Sequence, residues 1–432
     1  MNSLQCALLS FRRFKKKYHN RFLFQNQMDV DEVSVKLADA GRVMEESVNV
    51  LQTISMNELS ARSTGDEHAR IIKMALILNS DYERDLYLHQ YQALYELAKG
   101  NDVLLIYPCG SGKTRVLENA PCVAKLGFEL RSGREIVKIP LGIVCCPLTA
   151  IMEDKIGDKR DCGMLSMYGG CKSGSSIDPS KVTLSKDEND FFTDKLSLIF
   201  GHPESFATEL GKKVLECNEH RIFVFVTDEL GFNIWGPSFR LLMSTVPASI
   251  RVFSDVSAPM LCMSATVGKL DQQKVLEDMG MKNRNFSIID KNPVMPHLFI
   301  SKLKRPSNQK GFCETGGLKD ILSKLFLDEF IRDPKSSRKA IIFCKNEEDL
   351  IKVYEFIEKK IGDKHKNLKT RPWIQYHGSM GENTLKWIHH RIKSAEKDQE
   401  IKLFLSTYKL VMGVDIQNVD IAIFIRFVNI LN

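Results

Sequence analysis

The chain has eleven cysteines in 432 residues, but no C-x-x-C pair and no cysteine–histidine cluster at zinc-ligand spacing. That excludes the common structural zinc modules, and no zinc site is expected. Several cysteines sit inside apolar runs, as in Ile143-Val144-Cys145-Cys146, and read as buried reduced thiols. No window approaches the run of about eighteen apolar residues that a membrane-spanning helix needs, so no membrane partner is expected. No internal repeat is visible, which excludes a solenoid. A diffuse basic surface is missing too. The net charge is +7, yet residues 1–28 hold six basic side chains (Arg12, Arg13, Lys15, Lys16, Lys17, Arg21) and no acid. The rest of the chain balances 55 basic against 54 acidic residues, so any nucleic-acid site must be a local groove.

What remains is an ordinary globular composition, 43% apolar and 27% charged, long enough for two or three domains. The acid-free N-terminus has four readings: a nuclear import patch at Arg12-Arg13-Phe14-Lys15-Lys16-Lys17, a mitochondrial presequence, a solvated basic tail, or an upstream extension of a chain that starts at Met28. A nuclear location is expected, with the mitochondrion as the alternative. Residues 1–80 read as an N-terminal extension, a basic tail followed by polar helix. From 81 to 290, short apolar strands at 103–107, 141–146, 196–200, 222–227 and 260–263 alternate with helical stretches, the pattern of a parallel sheet covered by helices on both faces. A second run, 291–432, follows the segment Asn292-Pro293-Val294-Met295-Pro296. It has strands at 339–344, 372–376, 402–406 and 420–425. The polar, Gly/Ser-rich stretch 169–190 reads as a surface loop.

The most informative segment is Leu104-Leu105-Ile106-Tyr107-Pro108-Cys109-Gly110-Ser111-Gly112-Lys113-Thr114. It reads as a buried strand that enters a glycine-rich turn and opens a helix. In the turn Pro108–Thr114 the backbone N–H groups that follow Pro108, with the helix N-terminus, suit phosphate oxygens. Lys113 can reach the β- and γ-phosphates, and the Thr114 hydroxyl can ligate Mg²⁺. Position 107 is tyrosine where the strict pattern has its first glycine, so an ordinary strand-to-helix turn stays open on this string alone. A second strand, 222–227, ends in Asp228-Glu229. Such a pair can hold Mg²⁺ through the first carboxylate and activate water through the second. A third strand ends in Ser264-Ala265-Thr266, whose hydroxyls can relay hydrogen bonds.

Taken together these strings resemble the RecQ-like DNA helicases of helicase superfamily 2. Gln90, 23 residues before Lys113, is similar to the family's adenine-reading glutamine. Tyr107–Thr114 resembles Met-Pro-Thr-Gly-Gly-Gly-Lys-Ser. Residues 146–155, Cys-Pro-Leu-Thr-Ala-Ile-Met-Glu-Asp-Lys, resemble Ser-Pro-Leu-x-Ser-Leu-Met-x-Asp-Gln, and His202-Pro203-Glu204 resembles Ala-Pro-Glu. Trp235-Gly236-Pro237-Ser238-Phe239-Arg240 is similar to the aromatic-rich loop Trp-Gly-His-Asp-Phe-Arg. That likeness implies that Trp235, Phe239 and Arg240 sense single-stranded DNA, by base stacking worth roughly 1–3 kcal/mol and by phosphate contact. In the second run, Ala340–Cys344 and Gln375-Tyr376-His377-Gly378 follow the family's motifs. So does Ser406-Thr407 with Met412-Gly413-Val414-Asp415, where Gly413 and Asp415 are expected at the nucleotide and Ser406 and Thr407 at the strand.

The resemblance implies two tandem RecA-like α/β domains with parallel sheets, the second truncated, behind a helical N-terminal extension. It implies ATP and Mg²⁺ as cofactors, Lys113, Asp228 and Glu229 as the catalytic set, and Ser264 and Thr266 among the coupling residues. Single-stranded and forked DNA are the expected partners, RNA less so; nothing in the chain speaks to oligomeric state. The sequence departs from the pattern in four places. Gly231 replaces the histidine after the acidic pair, the loop to Trp235 is one residue shorter, and Tyr87 replaces an arginine. The chain also reaches Asn432 before the arginine-rich sixth motif. The expected function is a 3′–5′ DNA helicase core. The alternative is a nucleotide- and nucleic-acid-binding scaffold that does not unwind, and an RNA helicase of a related group is a third reading.

Overall fold

The computed structural model describes residues 52–108, 110–147, 164–170, 178–184, 188–193, 195–230, 246–290, 322–361, 371–393, 401–407 and 418–425, with Met152, Lys155, Ile156 and Ile416. Cys109, Trp235, Phe239, Arg240, Gly413 and Asp415 lie outside the described residues. The chain forms two compact units, one over Asn49–Pro293 and one that includes Val294–Asn432.

The first unit opens with β1 (Thr53–Ile54), α1 (Met56–Arg62) and α2 (Glu67–Leu78). Both helices are started by side-chain caps, Ser55 onto the Glu58 N–H and Asp66 onto the N–H groups of His68 and Ala69, which satisfy backbone donors that the first turn leaves free. β2 (Leu86–Tyr87) pairs antiparallel with β1 and leads into α3 (Leu88–Ala98). β3 (Asp102–Ile106) and α4 (Lys113–Ser132) follow, then β4 (Leu141–Cys145), β5 (Met164–Gly170), β6 (Asp178–Leu184) and β7 (Leu198–Gly201). After these come α5 (Glu209–Asn218), β8 (Ile222–Asp228), β9 (Met260–Ser264), α6 (Lys269–Asp278) and β10 (Phe286–Asp290). The eight strands lie in the order β10-β3-β9-β8-β4-β7-β5-β6. All neighbours are parallel except β5 and β6.

The central strands are buried along their whole length because both faces are covered. Val103 and Leu105 of β3 join a core with Leu59, Ile72, Leu94 and Val116 from α1 to α4. Leu104 and Ile106 turn to the other face and pack with Val214 of α5 and Val275 of α6. Residues 53–78, within the stretch read as an N-terminal extension, thus belong to the packing of this unit. The loop expected over 169–190 is corrected in part: β5 and β6 form an antiparallel edge hairpin there. Gly169, Gly170 and Pro179 hid it; Pro179 lies on β6, the edge strand, where one side of the ladder has no partner and a proline is tolerated.

The second unit has β11 (Ala340–Phe343), α7 (Glu347–Ile361), β12 (Trp373–Tyr376), α8 (Glu382–Lys393), β13 (Leu403–Ser406) and β14 (Ile421–Phe424). The strands are parallel, in the order β12-β13-β11-β14. Alternation again sets the layers. Ala340 and Ile342 pack with Leu350, Val353 and Ile357 of α7, whereas Ile341 and Phe343 pack with Ile388 of α8. Two tandem RecA-like parallel-sheet domains are therefore present, as the sequence predicts.

Candidate functional site: the strand-end edge of the first sheet

In a parallel sheet all C-terminal strand ends share one edge, and ligands bind there. On this edge β9 lies between β3 and β8, with Ser264 opposite Ile106 and Met263 opposite Asp228. Three predicted strings therefore converge: the loop before α4, the Ser264–Thr266 turn, and the Asp228-Glu229 pair.

The loop is built by its glycines. Gly110 and Gly112 both have φ of +75°, a left-handed conformation that costs an L-residue strain. Gly112 caps α4, whose twenty residues aim their N-terminal dipole at the loop. Lys113 Nζ donates to the carbonyls of Tyr107 (2.9 Å) and Pro108 (3.0 Å). The loop thus holds its own lysine at the place where an anion would compete for it. Ser111 Oγ is buried without a hydrogen-bond partner among the described residues. A buried orphan hydroxyl is costly unless a ligand satisfies it, and a phosphate oxygen is a suitable acceptor.

Two side chains of α3 fasten the loop from behind. Gln90 accepts from the Tyr87 N–H and donates to the Gly112 carbonyl, both at 2.9 Å. In this arrangement it is a strut between β2 and the helix cap. His89 was not predicted. Its ring is buried, hydrogen-bonds the Ser111 carbonyl at 2.9 Å, and stacks on Tyr107 with centroids 3.9 Å apart. Tyr87 is also nearly parallel to the ring, with centroids 5.6 Å apart. Arg115 was also missed. It pairs with Asp81 at 2.7 Å and donates to the carbonyls of Asp81, Arg84 and Asp85, clamping α4 to the segment before β2.

Asp228 ends β8 almost fully buried, and its partner is the ammonium of Lys155. Burial opposes a charged lysine, but the Asp228 carboxylate, together with Cys146 and Glu229, outweighs it and holds the Lys155 pKa above its usual value. Glu229, 6% exposed, adopts a left-handed backbone with φ of +59°, a strain worth about 1–3 kcal/mol in a non-glycine residue. Ser264 Oγ accepts from the Thr266 N–H at 3.1 Å and lies 3.2 Å from the Thr266 hydroxyl, so both hydroxyls are tied to their own turn.

Mg²⁺ needs one or two carboxylates together with substrate phosphates rather than an all-protein cage. Asp228 and Thr114 offer the donor types for that demand, and the Asp228 carboxylate is already paired with a cation, the Lys155 ammonium. No group of three His, Cys, Asp or Glu residues among the described ones forms a separate metal cluster.

In the second unit, Ser406 Oγ donates to the carbonyls of Tyr376 (2.9 Å) and Thr407 (2.7 Å), and the Thr407 N–H donates to Tyr376 (3.2 Å). Both residues thus join the end of β13 to the end of β12. Beside them, His377 lies 3.3 Å from Glu347. Hydrogen bonds from Ser379, with the His377 charge, hold that carboxyl below the usual range.

Residues 87–275 match the DEAD/DEAH box helicase family, and residues 319–429 match the helicase conserved C-terminal domain. Among solved structures, the chain is similar to the DUF1998 helicase MrfA bound to DNA, with a TM-score of 0.56, 16% identity, and coverage of 87% of this chain and 48% of that one. It is similar to the DEAD-box helicase Mss116 bound to ssRNA and UDP-BeF (TM-score 0.53, 16% identity, 86% and 69% coverage). It also resembles the Mycobacterium smegmatis helicase Lhr bound to ssDNA and AMP-PNP (TM-score 0.51, 13% identity, 78% and 41% coverage). The chain spans about half the length of the MrfA chains it matches. At these identities the likeness concerns the fold alone. No curated protein matches the chain.

Proposed function

From the domain pair of a superfamily 2 helicase, which this chain carries, we propose an ATP-dependent 3′–5′ DNA helicase core of RecQ-like type. One observation carries the nucleotide part of the reading. The loop before α4, the Ser264 turn and the Asp228-Glu229 pair stand side by side on one sheet edge, which is what phosphoryl transfer to water requires.

In this reading, backbone N–H groups of the loop and the Ser111 hydroxyl receive the phosphates. Lys113 leaves the Tyr107 and Pro108 carbonyls to pair with the β- and γ-oxygens. Mg²⁺, when bound, supplies positive charge beside Thr114 and Asp228. Glu229 orients the attacking water and takes its proton. The DNA part rests on the string Trp235–Arg240, and the 3′–5′ direction on the RecQ-like resemblance alone. Nuclear localisation rests on the basic cluster at 12–17.

A second reading is a binding scaffold without unwinding. It is favoured by Gly231 in the histidine's place and by the Lys155 ammonium on Asp228. Unwinding of a labelled forked duplex, with single-stranded DNA and RNA as separate competitors at low salt, tests the proposal. ATP-dependent strand separation, competed better by DNA, supports the helicase. Nucleotide binding without separation supports the scaffold, and stronger competition by RNA would move the substrate to RNA.

A further inference from the structure

The chemistry proposed above gives Lys155 no task, yet its placement is specific. Met152, three residues before it, and Ile156, its immediate neighbour, are both buried. The Lys155 side chain is 15% exposed and the Asp228 side chain 4%, so the ion pair is nearly shut off from water. A buried charge of either sign is costly alone, and each of these two compensates the other. The family pattern quoted above has a neutral glutamine at this position; here the position carries a full positive charge. An ammonium and a divalent ion repel each other across one carboxylate, most strongly where water is scarce.

Resting on the proposed role of Asp228, we infer that Lys155 is a built-in counter-ion of the metal carboxylate: it holds Asp228 in the metal-free protein, and Mg²⁺ enters only by displacing it. Lys155 thereby sets the metal concentration at which the site fills, and makes metal entry a displacement of its own side chain.

Two measurements on the full chain test this. The first is Mn²⁺ titration by electron paramagnetic resonance in the presence of ADP. Lys155→Gln should bind Mn²⁺ about tenfold more tightly than the parent, Lys155→Arg should match the parent, and Asp228→Asn should bind far more weakly. The second needs no variant. Acetylation of the Lys155 amine, followed by mass spectrometry, should accelerate several-fold when Mn²⁺ and ADP are added to the parent protein. Parent-like Mn²⁺ affinity in Lys155→Gln, or acetylation that metal and nucleotide leave unchanged, would overturn the inference. Unaltered Mn²⁺ affinity in Asp228→Asn would instead overturn the assignment of Asp228 to the metal.

Discussion

Gln90 Nε2 donates a 2.9 Å hydrogen bond to the carbonyl of Gly112, so the helix before β3 holds the cap of the helix after it. A Cβ on Gly112 would lie 2.4 Å from that Nε2, whereas a Cβ on Gly110 meets nothing within 4 Å. Both glycines have the same φ. Gly110→Ala should therefore lose only the backbone term, about 1–2 kcal/mol. Gly112→Ala should lose that and the Gln90 strut as well. Thermal melts and titration with a fluorescent ATP analogue should rank Gly112→Ala below Gly110→Ala in both stability and nucleotide affinity.

Arg115→Ala removes four hydrogen bonds that bind α4 to residues 81–85. The Arg115 and Asp81 side chains are 10% and 11% exposed, and breaking so buried a pair costs about 3–5 kcal/mol. Urea unfolding should show that loss with little change in slope.

The same pair gives a pH dependence. Burial pushes the Asp81 carboxyl up, but Arg115, Arg84 and Asn119 outweigh it, and its pKa lies below the ordinary value. A carboxyl with a depressed folded pKa stabilises fully above its unfolded pKa, about 3.9, and loses that contribution as pH falls through the folded value. The stability gap between the parent and Asp81→Asn should be constant from pH 7 to about pH 5 and shrink below about pH 4.

Among the described cysteines, Cys122, Cys145, Cys146, Cys262 and Cys344 are buried and Cys217 is exposed. Burial pushes the Cys122 thiol up to about 11 and the Cys344 thiol to about 12, and raises Cys145 and Cys262 as well. The thiolate is the reactive form. Alkylation of the native chain at pH 8, read by mass spectrometry, should label Cys217 first of these six, with the rest labelled only on unfolding.

Much of the fold was legible because the strands that matter are buried on both faces. Val103–Ile106, Ile222–Val226 and Ala340–Phe343 are unbroken apolar runs of strand length. β10 was missed because it is an edge strand with Phe286 and Ile288 part-exposed. The phosphate loop was legible because its residues are contiguous. His89, Arg115 and Lys155 were not, because each gains its role from a partner 22, 34 or 73 residues away. No local spacing rule reports such a pairing.

The central claim is that Lys113 works on a nucleotide at this sheet edge and that DNA drives the turnover. Steady-state ATP hydrolysis by the full chain, with and without single-stranded DNA, beside Lys113→Ala, tests it most directly. The account predicts hydrolysis that DNA stimulates and that Lys113→Ala abolishes, with DNA binding retained. Hydrolysis indifferent to Lys113→Ala, or no nucleotide binding by the parent chain, would contradict it.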